Sequence, residues 1–262
     1  MTEPKLVHAV QLLHLLRYAL HSKSSNLTYG HRPQRHSAYP RLEVYTDSSF
    51  AEGNDQKRNS RTGVLVTLDG CPIHWKSKRQ SLTKNGVKHD ITAISTFEAE
   101  LIALGAGLAE ALFYRGLLEE FGYKQPSPTP IYVDNSSVVD AVYSEYQNSA
   151  HRHIDVRYWR IKDHIAFKDV VVAWIPGEIN PADLLTKILP PALNQTHTDH
   201  VLTGTPYPDN PNRKTKAPNQ KGRGSRKGPL KLTNDAKLLK PDDMRLRTEP
   251  LRTKNVSFAP DS

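Results

Sequence analysis

The sequence predicts an α/β fold in which a mixed five-stranded sheet is flanked by helices and followed by a disordered basic tail. Three observations predict it. From Arg41 the strings RLEVYTDSSFA, GVLVTLDG and CPIHWKSKRQ are rich in β-branched and aromatic residues. With the turn formers Gly63 and Asp69-Gly70 between them, they read as three consecutive antiparallel strands. Between Thr96 and Phe121, Leu101, Leu104, Leu108, Leu112, Leu117 and Leu118 recur at helical spacing, and Gly122 supplies a stop. Two short apolar strings, IYVDN and DVVVAWIPG, then read as buried strands separated by helical segments. A meander followed by helix-linked strands implies a mixed sheet with helices on its faces.

Taken in order, residues 1–40 open with Val7, Val10, Leu12, Leu13, Leu15, Leu16, Tyr18, Ala19 and Leu20, with polar residues spaced so that one helical face stays apolar. The extended piece NLTYG and the polar linker HRPQRHSAYP follow, so this stretch reads as the edge of another domain. Residues 41–190 hold the predicted order βββαβααβα. SLTKNGVKHDI is a polar connection, the long helix follows it, and PSPTP links that helix to the fourth strand. SSVVDAVYSEY and about 154–167 are helices, and NPADLLTKIL is a short final helix entered at Asn180 and Pro181. Residues 191–262 read as the tail. From Thr196 onward there are 14 Lys and Arg against 7 Asp and Glu, with 8 of the 19 Pro and only Tyr207 and Phe258 as aromatics. Such a stretch buries too little apolar area to offset the entropy of ordering. Its string KGRGSRKGPLK, from Lys221 to Lys231, suits phosphate backbones or an import receptor, and reads equally as a solvated linker.

The single cysteine, Cys71, excludes an intramolecular disulfide and every zinc site built on paired cysteines. No apolar run reaches 18 residues, and the first 20 residues carry an early acid and Arg17, unlike a signal peptide. The chain is therefore expected to be intracellular, cytoplasmic or nuclear, with no membrane partner.

Four acids carry the chemistry. Asp47 lies inside the first strand between Tyr45 and Phe50, where a charge is costly without a partner or a task. Asp134 ends the fourth strand, and it would lie beside Asp47 if the first and fourth strands are parallel neighbours. Glu100 opens the long helix, and Asp183 lies in the first turn of the last. Each has a plain alternative: Asp134 as a helix-entry residue, Asp183 as a favourable charge at a helix start, Glu100 as an exposed helix acid. Asp47 is the hardest to explain in that way. Together they would crowd one end of the sheet, where repulsion requires cations. Oxygen-only ligation suits two Mg²⁺ ions, with Mn²⁺ as the alternative, and such a pair about 4 Å apart promotes phosphodiester cleavage. His151, His153 and His164 lack a spaced fourth ligand and read as surface histidines.

The strings YTDSSFAEG, SRTGVLVTLDGCPIHWKSKRQ, FEAELIALGAGLAEALFYRGLLEE, PIYVDNSS, HRHIDVRYWRIKD and INPADLLTK occur in that order over about 42–189. In this the chain resembles the ribonuclease H domain of Pol polyproteins from copia-like LTR retrotransposons, which implies a ribonuclease H-like fold. Carried over by position, the family's catalytic and metal-binding acids fall on Asp47, Glu100, Asp134 and Asp183. The family places its acid before the Leu-Ile-Ala-Leu run, which selects Glu100 over Glu98. HLLRYALHSKSSNLTYG resembles the family's connection to its reverse transcriptase. Asn135-Ser136 stands where the family often has Asn-Gln, and the loop before Asp183 has no His. Asn135, Ser136, Trp75, Lys76 and Lys78 are candidate substrate contacts, although charge on a strand such as WKSKRQ also protects a sheet edge.

The resemblance implies a metal-dependent endonuclease that hydrolyses the RNA strand of an RNA/DNA hybrid, with a reverse transcriptase region absent from this chain as a further partner. The alternative is a catalytically inactive ribonuclease H-fold fragment that binds nucleic acid, which a charged tail without a polymerase motif would also suit.

Overall fold

A computed structural model describes residues 5–29, 39–50, 60–84, 87–90, 93, 95–144 and 156–208. Helix α1 (Leu6–His21) precedes a meander of β1 (Leu42–Ser49), β2 (Arg61–Leu68) and β3 (Cys71–Arg79). A small hairpin, β4 (Ser81–Lys84) and β5 (Val87–Asp90), leads to the long helix α2 (Thr96–Glu120). The elements β6 (Thr129–Val133), α3 (Ser136–Tyr143), α4 (Val156–Ala166) and β7 (Val170–Trp174) follow. A 3-10 turn (Gly177–Ile179), a 3-10 helix (Pro181–Leu185) and helix α5 (Pro191–Thr203) complete the order.

The main sheet has the order β3-β2-β1-β6-β7. β1 pairs antiparallel with β2, and β2 with β3. β6 pairs parallel with both β1 and β7. This mixed five-stranded sheet with flanking helices is the ribonuclease H-like fold that the sequence strings implied. Asp69 and Gly70, at φ 50° and 77°, make the tight β2–β3 turn, and Gly122, at φ 84°, ends α2. Gly63 departs from expectation. It lies inside β2, opposite Asp47, and not in a turn.

Helix α2 covers one face of the sheet. Ala99, Ala103, Leu104, Gly107, Leu108 and Ala111 are its buried residues over the central strands. A Cβ on Gly107 would collide with Thr46 Cγ2, so glycine is what permits this close approach of helix to β1. Val44, Val64, Val66, Ile131, Val133 and Val172 supply the sheet's side of the core, closed by Val138, Val142 and Ile161 of α3 and α4. Each fully buried Leu or Val of this kind stabilises by about 1.5–3 kcal/mol. Among the described residues α2 is the one helix long and apolar enough to cross a membrane, and here it packs on the sheet.

Two further expectations change. SLTKNGVKHDI, read as a plain connection, pairs with itself as the β4–β5 hairpin, a sheet separate from the main one. Residues 191–203, assigned by composition to the tail, form α5, which packs against the 3-10 helix and β3. Its His197 has no exposed surface, and its Nδ1 lies 2.8 Å from the Tyr207 hydroxyl. Tyr207, one of the tail's two aromatics, also lies with its ring 4.2 Å from that of His200. Residues 209–262, which hold the rest of the expected tail, lie outside the described residues. Helix α1 forms where expected, but none of its residues is buried.

Candidate metal centre

The parallel pairing of β1 and β6, with Val44 opposite Ile131 and Tyr45 opposite Tyr132, brings the carboxyl ends of the two strands together. Asp47 sits near the end of β1 and is completely buried, and Asp134 follows the last residue of β6. Helix α2 starts above the same end. Ser95 caps it by accepting the Glu98 amide, which turns Glu100 inward to 4% exposure. Carboxylate oxygens of Asp47, Glu100 and Asp134 all lie within 4.8 Å of one another.

The fourth acid arrives by a different route. Asn180 is wholly buried and works in two directions: its amide donates to Thr46 O at 3.0 Å, and its Oδ1 accepts the Ala182 amide. That tie holds the Pro181–Leu185 3-10 helix against β1. The helix approaches so closely that a Cβ on Gly63 would lie 2.7 Å from Thr186 Cγ2 and 3.0 Å from Ala182 O. Thr186 then donates its hydroxyl to Asp47, and the Lys187 ammonium bridges Asp47 Oδ1 at 2.9 Å and Asp183 Oδ1 at 3.0 Å. It stands 3.9 Å from Asp134. Three of the predicted acids therefore meet directly, and Asp183 joins them through a lysine. Glu98 is not in the cluster.

Burial and crowding set the electrostatics. Burial first, and then the Asp47 and Asp134 charges, push the Glu100 carboxyl up to about 9, partly offset by the Ser48 hydroxyl. Its Oε2 is buried with no hydrogen-bond partner. Burial and Asp47 also raise Asp134, and they raise Asp183 to about 7 against the pull of Lys187. Burial works against the Lys187 ammonium, but Asp47 and Asp183 outweigh it and hold its pKa above the ordinary value. An unpaired, buried acidic oxygen beside two more carboxylates is a donor set that fits a hard divalent cation. The cluster opens on a cleft of about 340 Å³ lined by Ser49, Phe50, Glu100, Asp134, Asn135 and Lys187.

The other predicted residues are more dispersed. Asn135 lines the cleft while its Oδ1 caps α3 by accepting the Ser137 and Val138 amides, and Ser136 begins that helix. Trp75, Lys76 and Lys78 lie on β3, an edge strand separated from β1 by β2. Trp75 and Lys78 are exposed, whereas Lys76 pairs with Glu110 at 3.2 Å. His164 pairs with Asp169 at 2.8 Å, and His151 and His153 lie outside the described residues. Sequence reasoning missed Asn180, Thr186 and Lys187. The i,i+4 spacing of Asp183 and Lys187 was the available signal for the lysine.

No protein-family model matches the chain. Its homologues are Pol polyproteins of Ty/Copia-type retrotransposons. It is 33% identical over 176 residues, 67% of its length, to the retrovirus-related Pol polyprotein from transposon TNT 1-94 of Nicotiana tabacum. It is 29% identical over 148 residues, 56% of its length, to that from transposon RE1 of Arabidopsis thaliana. The chain spans 12% and 9% of the length of these two relatives. Among solved structures, an RNase H1 isolated from compost by a metagenomic approach is 22% identical, with a TM-score of 0.40, over 55% of this chain and 91% of that one.

Proposed function

We propose that this chain carries the ribonuclease H activity of a retrotransposon Pol polyprotein, hydrolysing the RNA strand of RNA/DNA hybrids with Mg²⁺, or Mn²⁺ in its place. The observation that carries the reading is the meeting of Asp47, Glu100 and Asp134 oxygens within 4.8 Å, contributed by three separate elements at one end of the sheet. Asp47, Glu100, Asp134 and Asp183 would hold the ions. A divalent pair in such a site supplies an activated water and stabilises the leaving oxygen of a phosphodiester.

The chain's own residues do the positioning. Thr186 and Lys187 fix the Asp47 carboxylate, and Asn180 keeps the 3-10 helix, and with it Asp183, against β1. Asn135, Ser136, Trp75, Lys76 and Lys78 are proposed as substrate contacts. A hybrid is read by backbone shape and ribose hydroxyls, so cleavage should show little base preference. The basic stretch after residue 208 would add phosphate contacts, and a reverse transcriptase region of the longer polyprotein would present the hybrid.

The second reading, a nucleic-acid binder without activity, draws on Lys187, which already neutralises part of the cluster without a metal. Incubating the full chain with a labelled RNA/DNA hybrid in Mg²⁺, beside EDTA and Asp47→Asn controls, separates the two. Cleavage lost in both controls supports the nuclease, and an inactive parent that binds hybrid supports the alternative.

A further inference from the structure

The nuclease reading asks of Lys187 only that it fix Asp47, and does not account for the rest of its contacts. Its ammonium sits among the acids themselves, 2.9 Å from Asp47, 3.0 Å from Asp183 and 3.9 Å from Asp134. Half-buried, it is held by two direct charge-assisted hydrogen bonds of the stronger class. The cluster is divided by it. Asp47, Glu100 and Asp134 share a mutual centre, with Glu100 Oε2 left unpaired, while the Asp47–Asp183 side is bridged by the ammonium. Asp47 belongs to both halves.

We propose that Lys187 is a tethered counter-ion that competes with the divalent cation for Asp47 and Asp183. It holds the acids together when no metal is bound and withdraws as metal occupancy rises. The inference rests on the divalent-ion reading of the site. A carboxylate oxygen at hydrogen-bond distance from an ammonium is already engaged, so a cation that draws on the same carboxylate must displace or weaken that bond. The lysine is suited to yielding, because its ammonium rides on a flexible four-carbon stem with part of its surface in water. Its backbone is held on the adjoining 3-10 helix by the bond from its amide to Asp183 O at 3.0 Å, so the side chain can leave without that helix moving.

The test is Mg²⁺ binding by calorimetry to the full chain, its Lys187→Gln variant and its Lys187→Arg variant, with melting curves in EDTA. Removing the competitor is expected to tighten Mg²⁺ about tenfold, equivalent to about 1.4 kcal/mol. Lys187→Arg, which keeps the charge, should stay near the parent. The melting temperature of Lys187→Gln in EDTA should fall, because its acids lose their counter-ion. A merely structural lysine predicts the opposite sign for affinity, since a loosened site binds metal more weakly.

Should Lys187→Gln fail to fold, ¹³C-lysine NMR of the parent provides the readout. One lysine resonance, identified by its absence in Lys187→Arg, should move as Mg²⁺ is added. Unchanged or weaker Mg²⁺ binding by Lys187→Gln, or a Lys187 resonance that stays still while the parent binds Mg²⁺, overturns the competition and leaves the nuclease reading intact. A parent that binds no Mg²⁺ overturns both.

Discussion

Asp47 has no exposed surface, while Leu15 on α1 is 62% exposed. The carboxylate end of the sheet and helix α1 thus reverse the ordinary placement of charge and oil, and the two reversals differ in kind. Around Asp47 the protein supplies compensation: the Thr186 hydroxyl, the Lys187 ammonium, and Asn180 to hold the 3-10 helix that both residues follow. A buried charge with that much dedicated support is an investment in a site, since the same volume filled by apolar residues is often no less stable. Around α1 no such compensation is seen among the described residues. Leu6, Leu12, Leu15, Leu16 and Leu20 are all exposed, and the helix contributes nothing to the core built by α2 and the sheet. Placement against hydropathy marks a candidate site in the first region and, in the second, an apolar surface outside the core of the sheet domain.

The contrast is broken most severely by removing one acid. Asp134→Asn should lower hybrid cleavage by at least about a hundredfold, the order seen when one electrostatic stabiliser of a transition state is lost. In EDTA the same variant should melt no lower than the parent, because repulsion within the cluster is relieved. Cleavage rates and melting curves together distinguish this from a structural acid, whose loss would lower the melting point.

Next in size is Gly63→Ala. The added methyl would collide with Thr186, Ala182 and Leu185 and push the 3-10 helix away from β1. A loss of about 1–3 kcal/mol in urea denaturation is expected, typical of overpacking, accompanied by reduced cleavage. A variant with parental stability would show that the helix is free to shift.

The pH dependence in the absence of metal follows from the raised carboxyls. Between the ordinary 4.5 and about 9, Glu100 in the folded protein keeps a proton that the unfolded chain has released, and Asp183 does so between 3.8 and about 7. The native state binds more protons there, so the stability these groups allow at low pH is lost as pH rises through both windows. Melting in EDTA should fall from pH 5.5 to pH 8.5, and Asp183→Asn should flatten the lower part of that slope.

The smallest effect belongs to α1. Removing residues 1–25 should change stability by no more than about 0.5 kcal/mol, the range for surface changes, and leave cleavage intact. A larger loss on denaturation would mean that the exposed leucines serve the sheet domain after all.

The sheet, its flanking helices and the placement of the acids were legible because they follow from period and position. Alternating strands, leucines at helical spacing in α2 and an acid at each strand end all point to one edge. What escaped depends on close approach between distant segments. Gly63 looks like a turn former in sequence, and only the 3-10 helix lying over β2 explains its lack of a side chain. Lys187 looks like an ordinary basic residue until Asn180 anchors its segment 134 residues away on Thr46. His197 fell within a stretch judged by average composition, where one histidine–tyrosine contact carries no weight. The apolar pattern of α1 foretold its helix but not its exposure, because an apolar face is buried only when something is present to cover it.

The most direct test of the claim that these buried acids are kept for a cation is thermal melting of the full chain titrated with Mg²⁺, against NaCl at matched ionic strength. A ligand that prefers the native state stabilises it in proportion to the logarithm of its concentration once sites begin to fill. The melting temperature should therefore climb with Mg²⁺ in the parent and climb much less in Asp134→Asn. A parent curve that does not move with Mg²⁺, or an equal rise in both proteins, would contradict it.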